Sequence, residues 1–321
     1  MALKQVIEIH ELLDNAFVTA AKVSAVFRER GIDEVEIRPI AGPQGKTEFL
    51  KMRIPGLEGK SSGKNAPTLG IVGRLGGIGA RPQVAGLVSD GDGAVAALSA
   101  ALKIADMRRA GDRLVGDVIV STHICPDAPV TPRLPVPFMG SPVDMKTLNT
   151  YEIDPDMQAI LSIDTTKGNR VINTRGFAIS PTVKEGYILK VSDDLLRIME
   201  IVMGRMPAVL PITTQDITPY ENGLFHVNSI MQPCVATSAP VVGVAITTES
   251  AVPGCATGAS HEIDIEMAVR FVVEVSKAFG GKQCRFYDED EFRKIVELYG
   301  SMRHLQSSGK IASPSPKGAA I

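Results

Sequence analysis

Asp90, His123, Asp127, Asp164 and His261 lie far apart in the chain, yet each falls at or just beyond an apolar run. Carboxylates and imidazoles are the side chains that hold divalent metals and move protons near neutral pH. Gathered at neighbouring strand ends, they would form a reactive site. His123 stands two residues from Cys125, and an imidazole beside a thiol is the minimum for metal-free nucleophilic chemistry. Arg74, after TLGIVG, and Lys167 and Arg170, in SIDTTKGNR, are cations suited to a substrate carboxylate. Each residue also has a structural reading. Asp90 and Asp92 flank Gly91 as an Asp-Gly turn leading to a helix cap would. Asp164 before Thr165 fits a turn, and His261 with Glu262 and Asp264 fits a solvated first helical turn. Cys125 fits a buried, inert thiol. The joint placement carries the functional reading.

The apolar pattern supplies elements to position them. Residues Ala2–Arg30 read as one helix, and Glu34–Ile40 with Thr47–Ile54 as a hairpin. Further strands are expected at Thr68–Val72, Val84–Ser89, Leu114–Thr122, Ala159–Asp164 and Val241–Thr247, with two more inside Ala178–Leu189. Helices are expected at Gly93–Arg109, Asp193–Gly204, His261–Phe279 and Asp288–His304. Strands alternating with helices predict a three-layer α/β sandwich around a mostly parallel mixed sheet. Residues 1–305 read as a single domain and 306–321 as a flexible tail. Residues 126–142 carry six prolines directly after a strand end, where open α/β sheets place their sites.

A net charge of −2 with no long run of one sign argues against nucleic acid as a partner. No apolar stretch is long enough for a membrane span, and Met1–Arg30 lacks a leader-like apolar core. Four cysteines without CxxC spacing fit reduced thiols, so a cytoplasmic setting is expected. Exposed-looking apolar runs such as VPFMG are consistent with a homo-oligomer.

The opening helix, the TEFLKMRIPG hairpin, a Gly/Ser/Lys loop and APTLGIVGRLGGIGARP together resemble the zinc exopeptidases: aminopeptidases, carboxypeptidases and deacetylases. The resemblance continues through Asp90-Gly91-Asp92 before an Ala-rich helix, LVGDVIVSTHICPDAP, Ile163-Asp164 and Ala259-Ser260-His261. It implies metal ligands at Asp90, Asp127, Asp164 and His261, a late helix after the last ligand, and one zinc or manganese ion. It also places Arg74 where the superfamily has its first His ligand and Gly76 where it has the supporting Asp. The base position falls near Pro126-Asp127, leaving His123 and Asp127 as the catalytic candidates. The phrases THICPDAP, PVPFMGSPVDM, SIDTTKGNR, RGFAISPTVKEGYIL, PITTQDITPY and VPGCATGASH further resemble the bacterial and archaeal family catalogued as domain of unknown function 1177.

Two functions follow as expectations. One is a metal-dependent hydrolase of a small peptide-like or acyl-amino-acid amide, with Arg74, Lys167 and Arg170 holding the substrate. The other is a metal-free binding or regulatory protein in which Arg74, paired with Asp90 or Asp164, replaces the ion by a fixed charge. Thr213–Asp216 with Tyr220, Asn222 and His226 forms a further polar segment that reads as turn or pocket wall.

Overall fold

A computed structural model describes residues 1–74, 87–131, 138–250 and 260–309. The chain opens with helices α1 (Leu3–Leu13) and α2 (Ala20–Arg28), and the hairpin β1 (Val35–Gly42) and β2 (Gly45–Ile54). There follow β3 (Leu69–Gly73), α3 (Asp92–Arg109), β4 (Val118–Ile124), and the short strands β5 (Val130–Thr131) and β6 (Phe138–Met139). Next come α4 (Met145–Glu152), β7 (Ala159–Thr165), β8 (Gly176–Ile179), β9 (Val183–Lys184), β10 (Tyr187–Ile188) and α5 (Asp193–Met203). The described chain ends with β11 (Val241–Thr247), α6 (Glu262–Gly280) and α7 (Glu289–Tyr299).

The main sheet runs β1-β2-β4-β3-β7-β11-β9-β10, with β8 also paired to β11. Its centre, β4-β3-β7-β11, is parallel, and the outer pairings are antiparallel. Every residue of those four strands is buried, as parallel strands covered on both faces must be. One face is covered by α1, α3, α5 and α6. The other carries α4 and two 3-10 turns, Gln215–Ile217 and Gln232–Val235. The three-layer α/β architecture expected from the sequence is the one observed. Among the described residues, no helix is long and apolar enough to cross a membrane.

Three local departures bear on the site. The expected single N-terminal helix is two, because Asn15 Oδ1 accepts from the Phe17 amide and the Thr19 hydroxyl caps the second helix at Lys22. The strand expected at Leu114–Thr122 is displaced: Gly116 lies against the Pro67 and Gly280 backbone, and β4 then continues to Ile124 because β2 pairs with it up to Glu48↔Ile124. His123 is therefore a residue within the strand rather than beyond it. Finally, α4 follows the Pro-rich stretch, where no helix was expected; the Asp144 carboxylate caps it at the Thr147 amide, 2.7 Å. Of the strand expected at Val84–Ser89, residues 84–86 lie outside the described residues, as do Gly76, Cys255 and the tail from residue 310, and Leu87–Ser89 are not strand, Ser89 opening a 3-10 turn.

Gly93 sets how close α3 comes to the sheet. A Cβ there would sit 2.5 Å from the Ile163 carbonyl and 2.8 Å from that of Arg74. The missing side chain lets the helix start rest directly on the ends of β3 and β7, which brings Asp90 and Asp92 to the same edge.

Candidate functional site

The parallel register builds the site. Val72 pairs with Ser121 on one side and Ser162 on the other, and Gly73 pairs with Ile163. Continuing those registers brings Arg74 level with His123 of β4 and Asp164 of β7. The Arg74 amide keeps the ladder going, donating to the Ile163 carbonyl at 2.8 Å. Side chains two apart share a face of a strand, so His123, Arg74 and Asp164 form a row across three adjacent strands. All three are buried.

Helix α4 closes over this row. The Arg74 guanidinium donates through Nη1 to Glu152 Oε2 and, at 3.4 Å, to Asn149 Oδ1, and through Nη2 to Met145 Sδ. Neither Arg74 nor Glu152 exposes any side-chain surface. Burial pushes the Glu152 carboxyl up to about 7, against the pull of Arg74 and with a push from Asp164. Asp164 accepts from the Ser229 hydroxyl at 2.7 Å and the Thr165 amide at 2.8 Å, and burial carries it up to about 6. Two carboxyls beside one guanidinium thus take up protons in the neutral range.

His123 is held as a neutral ring. The Thr47 hydroxyl has one proton and donates it to the Ile124 carbonyl at 3.2 Å. It therefore accepts from His123 Nδ1, 2.8 Å away, which leaves Nε2 with a bare lone pair. That atom is buried and has no hydrogen-bond partner among the described residues. Burial, and secondarily Arg74, lowers the imidazole to about 3. The ring stacks on Phe49, which in turn stacks on Tyr151 of α4, at centroid distances of 5.5 and 4.9 Å.

A second buried cation stands at the same edge. Lys167 Nζ is 2.9 Å from Asp92 Oδ2, while the Ser260 hydroxyl donates to Asp92 Oδ1. Burial raises the Asp92 carboxyl, with Lys167 opposing. Lys167 has φ of 48°, a conformation that costs a non-glycine residue about 1–3 kcal/mol. The next residue, Gly168, is hemmed in by the Ser250 and Thr248 carbonyls, 2.2 and 2.5 Å from where a Cβ would stand. The closing β11 loop thus turns Lys167 inward.

Of the other expected site residues, Asp127, Arg170 and His261 stand apart from this row, while Asp90 lies in a turn that packs against β7. Asp90 is buried in the 3-10 turn Ser89–Gly91, before the start of α3. Asp127 is exposed on the turn leaving β4, and Arg170 is exposed beyond β7. His261 is half exposed at the start of α6, its Nδ1 3.2 Å from Asp264 Oδ2. Arg74 pairs with Glu152 rather than with Asp90 or Asp164, although Asp164 lies close enough to interact with it electrostatically. Cys125 is buried with its thiol raised to about 12 by burial and Asp127, so a thiolate nucleophile is not available there.

Comparison with known proteins places the chain. Residues 38–309 match the family model described as "Protein of unknown function (DUF1177)". The chain belongs to this family. A search of curated proteins finds no sequence match for this DUF1177 protein. Its fold is similar to that of a glutaminyl cyclase from an Acidobacteriales bacterium, at TM-score 0.53 and 12% identity over 88% of this chain and 94% of that one. A glutaminyl cyclase from Macrostomum lignano matches at TM-score 0.51 and 10% identity, over 88% and 90%. The LapA aminopeptidase of Legionella pneumophila matches at TM-score 0.47 and 12% identity, over 88% and 70%. The chain therefore shares the fold of these glutaminyl cyclases.

The side chains at this edge do not suit a divalent ion. A guanidinium cannot ligate a metal, and here it occupies the middle of the row between an imidazole and a carboxylate. Among the described residues, no three His, Cys, Asp or Glu side chains come together in a way that would hold a metal. Several residues of the site were not singled out in the sequence: Glu152, Asn149 and Met145 on α4, with Ser229 and Ser260. The signal for α4 was present, as Asp144 before Met145, Leu148 and Glu152 at helical spacing.

Proposed function

We propose that this DUF1177 protein binds a small peptide-like or acyl-amino-acid molecule, with a guanidinium in place of a metal ion as its charge centre. The observation that carries this reading is the buried row of His123, Arg74 and Asp164, capped by Glu152. Arg74 supplies a fixed positive charge for an anionic or polarised carbonyl group. Glu152 and Asp164, with carboxyls raised to about 7 and about 6, hold a proton within the physiological range. His123 Nε2 offers a neutral acceptor beside them.

The second reading is a metal-dependent hydrolase of a peptide-like amide, with Asp90, Asp127, Asp164 and His261 as ligands to zinc or manganese. It has His123 or Asp127 as base and Arg74, Lys167 and Arg170 toward the substrate. What favours it is the burial of Asp90 and Asp92 at the start of α3 and of Asp164 near the end of β7.

Elemental analysis of protein purified without chelator separates the two. The guanidinium reading expects no stoichiometric metal, even after incubation with excess zinc. A stoichiometric ion that is lost in an Asp90→Ala, His261→Ala double variant overturns it in favour of the second reading.

A further inference from the structure

Arg74 is only half used. A guanidinium has two edges that can each take a carboxylate through two parallel hydrogen bonds, one formed by Nη1 and Nη2 and the other by Nε and Nη2. Glu152 and Asn149 take Nη1. Nε, buried, has no partner among the described residues, and Nη2 meets only the thioether of Met145. A thioether is a weak acceptor for a charged donor. The Nε/Nη2 edge is therefore the one suited to a further carboxylate, with the Met145 thioether against Nη2.

On the other side of that closure lies a cleft of about 930 Å³. Met145 and Asn149, which touch Arg74 on one side, line this cleft on the other, so the guanidinium lies directly behind its wall. Tyr220 adds a polar group, and the exposed Lys146, Asp144 and Glu221 put one positive and two negative charges at the lining. Tyr220 lies close enough to both Arg74 and Asp164 to feel their charges. Methionine is unbranched and adapts its shape more readily than other apolar side chains, which suits a movable partition.

We infer that this cleft binds a small peptide-like molecule through its free carboxylate, which takes the Nε/Nη2 fork of Arg74 when the Met145 side chain turns aside. The inference rests on the peptide-like ligand proposed above and adds the place, the recognised group and the gate. Lys146 and Glu221 suit a ligand carrying both charges.

The test is hydrogen–deuterium exchange of the full chain with a library of unmodified dipeptides and with the same library amidated at the C-terminus. Protection of residues 145–153 and 219–238 by the free library, and not by the amidated one, is the expected result. Arg74→Lys keeps the charge but loses the fork, and should weaken binding on the order of tenfold. Met145→Phe, which keeps the guanidinium but fills the space before it, should block protection, and Met145→Ala should let the library act at lower concentration. Equal protection by both libraries overturns the carboxylate fork. Protection confined to residues 248–264 overturns this cleft while leaving a peptide-like ligand in place. No protection anywhere overturns the ligand reading as well.

Discussion

Arg74 and Glu152 form an ion pair in which neither side chain touches solvent, joining the end of β3 to the last residue of α4. Removing Arg74 leaves a buried carboxyl without its donor, which takes up a proton. Arg74→Met should therefore cost about 1–3 kcal/mol, read as a lower urea midpoint at constant slope. Arg74→Lys should cost less, since it keeps the charge. Equal stability of Arg74→Met and the parent would mean that the pair contributes nothing.

The same pair sets a pH dependence. Burial raises Glu152 from its ordinary 4.5 to about 7 and Asp164 from 3.8 to about 6. Between those values the folded chain holds protons that the unfolded chain has released. These groups' stabilisation is thus full below about pH 4 and is lost as pH rises through about 6 and then 7. Glu152→Gln should flatten the upper part of that decline in urea titrations at several pH values. An unchanged slope would show that Glu152 titrates normally.

His123 contributes with the opposite sign. Its imidazole is lowered from 6.5 to about 3, so stability is lost as pH falls below 6.5, where the unfolded chain takes up the proton. Nitrogen NMR of the ring should show Nδ1 protonated and Nε2 bare, unchanged from pH 5 to 8. Titration within that range would contradict the lowered imidazole, and a neutral ring protonated at Nε2 would contradict the assigned Thr47 hydrogen bond.

Lys167 and Asp92 should be strongly coupled. Lys167→Met leaves Asp92 buried without its cation and should cost about 3–5 kcal/mol. Adding Asp92→Asn should recover part of that loss, giving a coupling energy of about 1 kcal/mol or more in a double-mutant cycle. Simple additivity would show that the two side chains act independently.

Gly93→Ala tests the contact that brings α3 to the strand ends. The new Cβ would meet two backbone carbonyls, which cannot turn aside as a side chain can. A loss of about 1–3 kcal/mol is expected from overpacking, with altered exchange at Asp90–Asp92. Unchanged stability would mean that the helix start can shift without strain.

Much of this arrangement was legible from local pattern. The apolar runs of TLGIV, AILSID and VVGVAIT are too continuous for half-exposed strands, and the Ala-rich run from Gly93 permits a helix buried along most of its length. Arg74 and Asp164 could be assigned to strand ends because strand length and polarity change are local signals. The eight residues of α4 were not read as a helix, since one cap and two turns are a weak signal beside six prolines.

The sequence by itself determined the central strands, the buried helix between them and the strand ends that carry Arg74 and Asp164, because those depend on periodicity and turn chemistry within short windows. Only the tertiary structure decided which charges meet. Arg74 and Glu152 are 78 positions apart, Lys167 and Asp92 75, and His123 and Thr47 76. At such separations many carboxylates are equally available to a cation in sequence. The choice is made by packing: α4 settling on the sheet, Gly93 admitting α3 to the strand ends, and β2 extending its pairing far enough to draw His123 inside.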